Sequence, residues 1–410
     1  MLSASRTFGK EFKRMRLNPR PQFRLLAQRF APWLVPGASY LGLALWFSAS
    51  GWLRLGGDSA RYVQGAEHVL SGLPTSGQEG AFPGYVLVLA GIRWIGFGWD
   101  AVVAFQLLIG GLALAALIDA TRRMAGGFAG TVSGLLYVAH PEIVQFAFFV
   151  LTDSLYTSGL VLTIYAIGRA KGPPVSSRWG ALTLSLALGI AAIRPQGWLV
   201  ALVIIAWLAS EAIRQRSMAW ASTLVGILLL AGTVLWGSMQ TGLISESPLS
   251  ALEHLGDFST HVYEGTVIWG DSTSNLLMPA AEGSGVGAVA EYCLSHPQPC
   301  TRLFIRRILL ALVGVRPYFS APHNTIIAGR LIAMYSLAAI GILARPLGST
   351  SSALVAIILV HLVFIGVVWI DWDGRFMLYV VPPIALIAGL GAGSLQRKAL
   401  GRRWDREGQG

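Results

Sequence analysis

The chain has 410 residues, 54% of them hydrophobic and only 12% charged, with a net charge of +11. Soluble domains carry about a quarter charged residues, so a soluble enzyme or scaffold of this length is excluded. The positive excess sits in short loops and tails, which marks cytoplasmic connections of a membrane protein and excludes nucleic acid as a partner.

Residues 1–32 form a basic arm without a small-residue cleavage pattern, so they are read as a retained cytoplasmic segment and not as a signal peptide. Apolar runs of about 20 residues, the length a helix needs to cross a bilayer, recur from there on. Barrel strands would alternate polar and apolar residues instead. The expected spans are 33–53, 101–120, 128–148, 153–169, 179–193, 197–211, 219–240, 325–343, 352–370 and 376–394. The fold class is therefore an all-α polytopic membrane protein of about ten transmembrane helices. Its parts are the arm (1–32), an N-terminal transmembrane module (33–240), an outer loop with short helices (241–324), C-terminal helices (325–394) and a cytoplasmic tail (395–410).

Phe82–Phe97 is apolar but short, and parity decides its placement. If it crossed, Arg122-Arg123 and each later basic loop would fall outside. If it lies in the outer interface, all of them fall inside, so it is read as an interfacial helix. Both termini are then cytoplasmic. Asp58, Asp153, Arg194 and Arg375 emerge together on the outer face. Pro195 is expected to break one helix from the next, and the Gly/Ala-rich runs of three spans suit close helix packing.

In the long outer loop, Pro248–Glu264 and Thr301–Val313 read as helices, the second amphipathic with Arg302 and Arg306 on one face beside Arg307. Cys293 and Cys300 are the only cysteines. They lack a zinc-site spacing and are candidates for a disulfide, with two free thiols as the alternative.

Acidic residues reach the outer side from three parts of the chain: Asp58, Asp153 and the pair Asp371/Asp373. Arg61, Arg194 and Arg375 lie near them. Carboxylates of this kind act as general bases or hold a divalent cation beside a phosphate, and guanidinium groups fit phosphate through a planar fork. Tyr62 and Glu142 are further pocket candidates. No cofactor is required outright. Asp58 and Asp153 offer oxygen ligands for magnesium or manganese, while His254 and His261, on one stripe with Asp257 and Glu264, are a weaker transition-metal alternative. His361, alone within a span, is read as a hydrogen-bonded structural histidine.

Several short stretches together resemble the membrane-embedded GT-C glycosyltransferases, in particular the bacterial relatives of protein O-mannosyltransferases and aminoarabinose transferases. They are Gly57-Asp58-Ser59-Ala60-Arg61-Tyr62, Phe82-Pro83-Gly84-Tyr85, Leu151-Thr152-Asp153-Ser154-Leu155, Ile193-Arg194-Pro195-Gln196-Gly197, His296-Pro297 through Arg306-Arg307, and Asp373-Gly374-Arg375-Phe376 ahead of Pro382-Pro383. The resemblance implies that Asp58 is the base toward an acceptor, Asp153 a second catalytic acid, and Arg375 a lipid-phosphate contact. Ser59 stands where many relatives have a second acid, and Phe82-Pro83 where many have a double proline.

The expected activity is transfer of a sugar from a polyprenyl-phosphate donor to an acceptor hydroxyl, with inversion, on the outer face of a bacterial cytoplasmic membrane. Arg375, Arg194, Arg306 and Arg307 would hold the lipid phosphate. Asp58 and Asp153 would be catalytic, and Arg61, Tyr62, Glu142 and Asp373 would line the pocket. The acceptor would be a glycan, lipid or protein of the cell envelope. The competing reading is a transporter or flippase of a lipid-linked saccharide, but such carriers place ionisable groups near mid-membrane. A non-catalytic membrane scaffold is the third.

Overall fold

The computed structural model describes residues 19–73, 80, 82–170, 178–214, 293–316, 319–344, 348–368 and 375–407. Thirteen α-helices carry the fold among them: α1 (Pro19–Ala49), α2 (Ser59–Leu70), α3 (Pro83–Trp94), α4 (Asp100–Ala125), α5 (Gly127–Val138), α6 (Glu142–Gln145), α7 (Thr152–Arg169), α8 (Arg178–Ile193), α9 (Gly197–Arg214), α10 (Pro297–Val313), α11 (Ala321–Leu343), α12 (Ser349–Val368) and α13 (Val381–Glu407). Two short 3-10 turns, Phe146–Phe148 and Phe376–Tyr379, complete the set. The expected span 219–240, the expected helix Pro248–Glu264, and Asp371, Asp373, His254 and His261 lie outside the described residues.

Among the described residues, five helical stretches are long and apolar enough to cross a membrane: Phe30–Ala49, Asp100–Ala125, Gly197–Arg214, Ala321–Leu343 and Ser349–Val367. The protein is a multi-pass membrane protein, and helices suit that setting because they satisfy their own backbone groups. α7 joins the bundle differently. Thirteen of its 18 residues are buried, including Thr157, Ser158 and Thr163, so it is a central strut and not a lipid-facing span. It packs between α4 and α8, while α13 packs on α4, α5 and α11. The α11–α13 crossing is close because Gly341 and Gly391 face each other's helix. A Cβ at either would overlap the carbonyl oxygen of Ile387 or Leu337.

The expected single span 128–148 is corrected: α5 stops at Val138. Pro141 follows, which cannot donate to a helix and whose ring clashes with the preceding turn. The chain then makes α6, the 3-10 turn and an extended stretch through Leu151 before α7 begins. α3 has 12 residues, a rise of about 18 Å against the roughly 30 Å of a bilayer core. It packs on α2 through a small satellite core that joins Tyr62, Tyr85 and Leu89 to Val150, Leu151 and Leu155. That core ties the loop after α1 to the entry of α7.

Candidate functional site

Two backbone segments that lead into helices are held side by side. The Arg54 N–H donates to the Phe148 carbonyl at 2.9 Å and the Val150 N–H to the Arg54 carbonyl at 3.3 Å, forming a parallel bridge between Arg54 and Phe149. Gln106, buried in α4, reinforces it: its side-chain amide donates to the carbonyls of Ala147 at 3.0 Å and Phe149 at 2.8 Å. Its oxygen accepts from the Tyr85 hydroxyl at 3.3 Å. Four residues past each bridged position stand Asp58 and Asp153. Asp58 precedes the first turn of α2 and Asp153 sits in the first turn of α7, where unpaired N–H groups favour negative charge. The Asp58 side chain makes no capping bond and pairs instead with Arg61, one turn on.

Asp153 is completely buried, and three side chains converge on it. Arg194 Nη1 donates to Oδ1 at 2.6 Å and to the Thr152 hydroxyl at 3.0 Å. Arg375 Nε donates to Oδ1 at 2.9 Å, and its Nη2 lies 2.8 Å from Oδ2. The Tyr379 hydroxyl donates to Oδ1 as well. The third nitrogen of Arg375, Nη1, reaches Asp58 Oδ2 at 3.1 Å. One guanidinium thus spans both carboxylates, which are distant in the chain.

The turn geometries explain the convergence. Pro195 separates α8 from α9 and the tight connection returns Arg194 toward α7; the close approach needs glycine at 197, where a Cβ would overlap the Ile190 carbonyl. In the 3-10 turn Phe376–Tyr379, positions three apart share a face. Phe376 and Tyr379 both lie against the Arg194 guanidinium, with ring centroids 5.9 and 5.2 Å from its carbon. Burial alone pulls the Arg194 and Arg375 pKa values down, but the Asp153 carboxylate outweighs it and holds both above the ordinary arginine value. Both guanidinium groups stay charged.

The other expected residues are placed as follows. Tyr62 is buried against Phe82 and Tyr85, edge to face at 5.2 Å in each case, and forms a wall of the α2–α3 core. Arg307 is buried and donates to the carbonyls of Gly366 and Val367 at 3.5 and 2.7 Å, capping the end of α12. Desolvation lowers its pKa to about 10. Arg306 is half-buried on α10. Glu142 stands away from the two aspartates and is paired with Arg330, 2.8 Å away. Cys293 and Cys300 are disulfide-bonded, with Cα atoms 5.6 Å apart, at the approach to α10. His361 Nδ1 lies 2.8 Å from the Ile357 carbonyl and so carries the proton, which leaves Nε2 to accept from the Tyr156 hydroxyl at 2.9 Å.

A divalent cation between Asp58 and Asp153 does not fit this arrangement. The space such an ion would fill is taken by the Arg375 guanidinium, and the two carboxylates face three guanidinium groups, those of Arg61, Arg194 and Arg375. No cluster of three or more His, Cys, Asp or Glu residues suits a metal among the described residues.

Sequence reading did not single out Arg54, Gln106, Thr152, Tyr379 or Arg330. Gln106 had a signal, as the one amide within the apolar run 101–118. The others had none, because each acts through a contact between distant segments.

The fold and site define a polytopic helical membrane protein that gathers two carboxylates around a shared guanidinium. Residues 83–236 match the family described as dolichyl-phosphate-mannose-protein mannosyltransferase. Among solved structures the chain is similar to ArnT from Cupriavidus metallidurans bound to undecaprenyl phosphate, with 18% identity and a TM-score of 0.50 over 86% of this chain and 59% of that one. The apo form of ArnT gives 17% identity and a TM-score of 0.47 over 89% and 62%. The chain thus spans about three fifths of the ArnT chain. No curated protein matches it in sequence.

Proposed function

We propose that the protein transfers a sugar from a polyprenyl-phosphate donor to an acceptor hydroxyl at the outer face of a bacterial cytoplasmic membrane. The observation that carries this reading is the Arg375 guanidinium held between Asp58 and Asp153. The family match and the likeness to an enzyme solved with undecaprenyl phosphate support it. Asp58 is the base: its side chain is about one third exposed (32%), whereas Asp153 is sealed in.

In the reaction the acceptor oxygen attacks the anomeric carbon while its proton passes to Asp58. The bond from that carbon to the phosphate oxygen breaks, and polyprenyl phosphate leaves with the electron pair. A phosphate arriving beside Arg375 competes with Asp58 for Nη1. Donor binding therefore releases the carboxylate that must take the proton, and the same guanidinium stabilises the leaving charge. Asp153 and Arg194 are positioning residues that keep Arg375 in place. Arg306, half-buried on α10, is a second candidate for the phosphate, and back-side attack gives inversion at the anomeric carbon.

The test uses purified protein with a panel of polyprenyl-phosphate sugars and extracted envelope acceptors, following release of lipid phosphate. The expected result is turnover that Asp58→Asn abolishes while donor binding persists. Turnover unchanged in Asp58→Asn overturns the assignment. NMR of the product anomer checks inversion.

A further inference from the structure

The aspartate cluster stands at one end of α7 and a cluster of arginines at the other. α7 has 18 residues, a rise of about 27 Å against the roughly 30 Å of a bilayer core. Thr152 and Asp153 open it and Arg169 closes it, so the two clusters stand near opposite faces of the membrane.

The arginine cluster is tied together across four helices. Asp119, near the end of α4, accepts from Arg122 Nη2 and Arg123 Nε at 2.6 Å each, and from the Tyr165 hydroxyl of α7 at 3.3 Å. Arg122 also lies over the Trp33 ring of α1, 4.8 Å from its centroid. One turn beyond Tyr165, the Arg169 guanidinium is 4.8 Å from the Trp179 ring of α8 and 5.9 Å from the Tyr165 ring. The two rings meet edge to face at 5.8 Å. Arg178 is 5.8 Å from the same Trp179 ring.

The charge at this end is not balanced. Asp119 is the one carboxylate of the cluster among the described residues, and it already serves two arginines. Arg169 and Arg178 lie against aromatic rings and have no acceptor or counter-ion among the described residues. Only the Nε of Arg169 is buried, so its two terminal nitrogens keep open surface. Arg122, Arg123 and Arg169 complement the dipoles of the helices they end, but Arg178 opens α8, where positive charge opposes the dipole. Helix stability therefore does not account for Arg178.

These features select among ligands. The Trp33, Tyr165 and Trp179 rings mark the level at which lipid headgroups lie. A zwitterionic headgroup brings its own cation and leaves the excess charge in place. An anionic phosphodiester offsets it, offers two oxygens to a guanidinium fork, and is held at that depth by its acyl chains. Basic pockets between transmembrane helices take acidic headgroups in this way. We infer that the ends of α4, α7 and α8 form a site for the phosphate of an anionic membrane lipid, in the leaflet opposite the aspartate cluster. The inference does not rest on the transferase reading.

Full-length protein in detergent micelles is offered equal amounts of phosphatidylglycerol and phosphatidylcholine with the same acyl chains, and retained lipid is counted by native mass spectrometry. Phosphatidylglycerol should be retained severalfold over phosphatidylcholine. Arg169→Gln and Arg178→Gln should each lower its retention severalfold; Arg178 is exposed, so its variant keeps the fold. Lys398→Gln removes an exposed cation at the same end of the bundle, where the neighbouring Arg397 reaches the Ala125 carbonyl, and should leave retention nearly unchanged. Only variants with wild-type unfolding temperatures are compared. Equal retention of the two lipids overturns the inference, as does retention unchanged in both arginine variants. An equal fall in Lys398→Gln also overturns it, since the attraction would then be a diffuse property of the surface. Displacement by millimolar inorganic phosphate would mark a site for a free anion and overturn the lipid assignment. Turnover is not part of the readout, so its absence would bear on the transferase reading alone.

Discussion

Arg54 and Phe149 pair as a parallel backbone bridge, and each stands four residues ahead of one of the two clustered aspartates. The separation of the carboxylates is therefore set by main-chain geometry, with the Gln106 amide clamping the carbonyls of Ala147 and Phe149 from behind. Gln106→Leu keeps the size of the side chain but strands both carbonyls and the Tyr85 hydroxyl. A loss of about 1–3 kcal/mol in stability is expected, with lowered turnover because both acids lose their register. Denaturant unfolding in detergent, read beside lipid-phosphate release, checks it. An unchanged midpoint and rate would mean the clamp is idle.

Asp58 and Asp153 should respond differently to the same change. Asp153→Asn leaves Arg194 and Arg375 charged and buried without their main counter-ion, for which a loss of about 3–5 kcal/mol is typical. Asp58 is partly exposed, and an exposed pair is worth about 0–1 kcal/mol. Asp58→Asn should therefore unfold close to wild type while losing turnover, whereas Asp153→Asn should lose stability first. Equal unfolding midpoints for the two variants would contradict the burial difference.

Arg375→Lys preserves the charge but not the fork. A lysine ammonium cannot present three nitrogens to two carboxylates in one plane, so one aspartate is released. The expected effect is a fall in kcat of about 100-fold or more, the usual scale for removing a preorganised donor, with donor affinity weakened less. Steady-state kinetics with varied donor separates the two, and a wild-type kcat in the lysine variant would show that charge alone suffices.

The carboxylates and guanidinium groups were legible in the sequence because the positive-inside rule put Asp58, Asp153, Arg194 and Arg375 on one side, and because acids and arginines from separate parts of the chain on that side suit phosphate chemistry. The supports were not legible. Tyr379 reaches Asp153 from a 3-10 turn over residues 376–379, because α13 begins only at Val381 with Pro382 and Pro383 in its first turn, whereas the span was expected to start at 376. Arg307 looked like a phosphate contact because it shares α10 with Arg306, yet a one-residue step turns it inward onto the end of α12. Glu142 was expected near Asp153 on proximity in sequence. The break after Val138 carries it toward α11 and Arg330 instead.

The shared guanidinium also sets an expectation about metal. A divalent ion coordinated by Asp58 and Asp153 would have to displace Arg375 from both, and it would enter a site where three guanidinium groups already face two carboxylates. Like-charge repulsion at such distances is severe in a partly buried site. Turnover should therefore survive excess EDTA and show no gain on adding magnesium or manganese. The check is lipid-phosphate release from chelator-treated protein, with Arg375→Gln as the comparison, since removing the guanidinium opens the space and should make any cation effect larger. Activity lost with EDTA and restored by manganese in the wild type would mean that Arg375 swings away before the reaction, and that the resting arrangement is not the catalytic one.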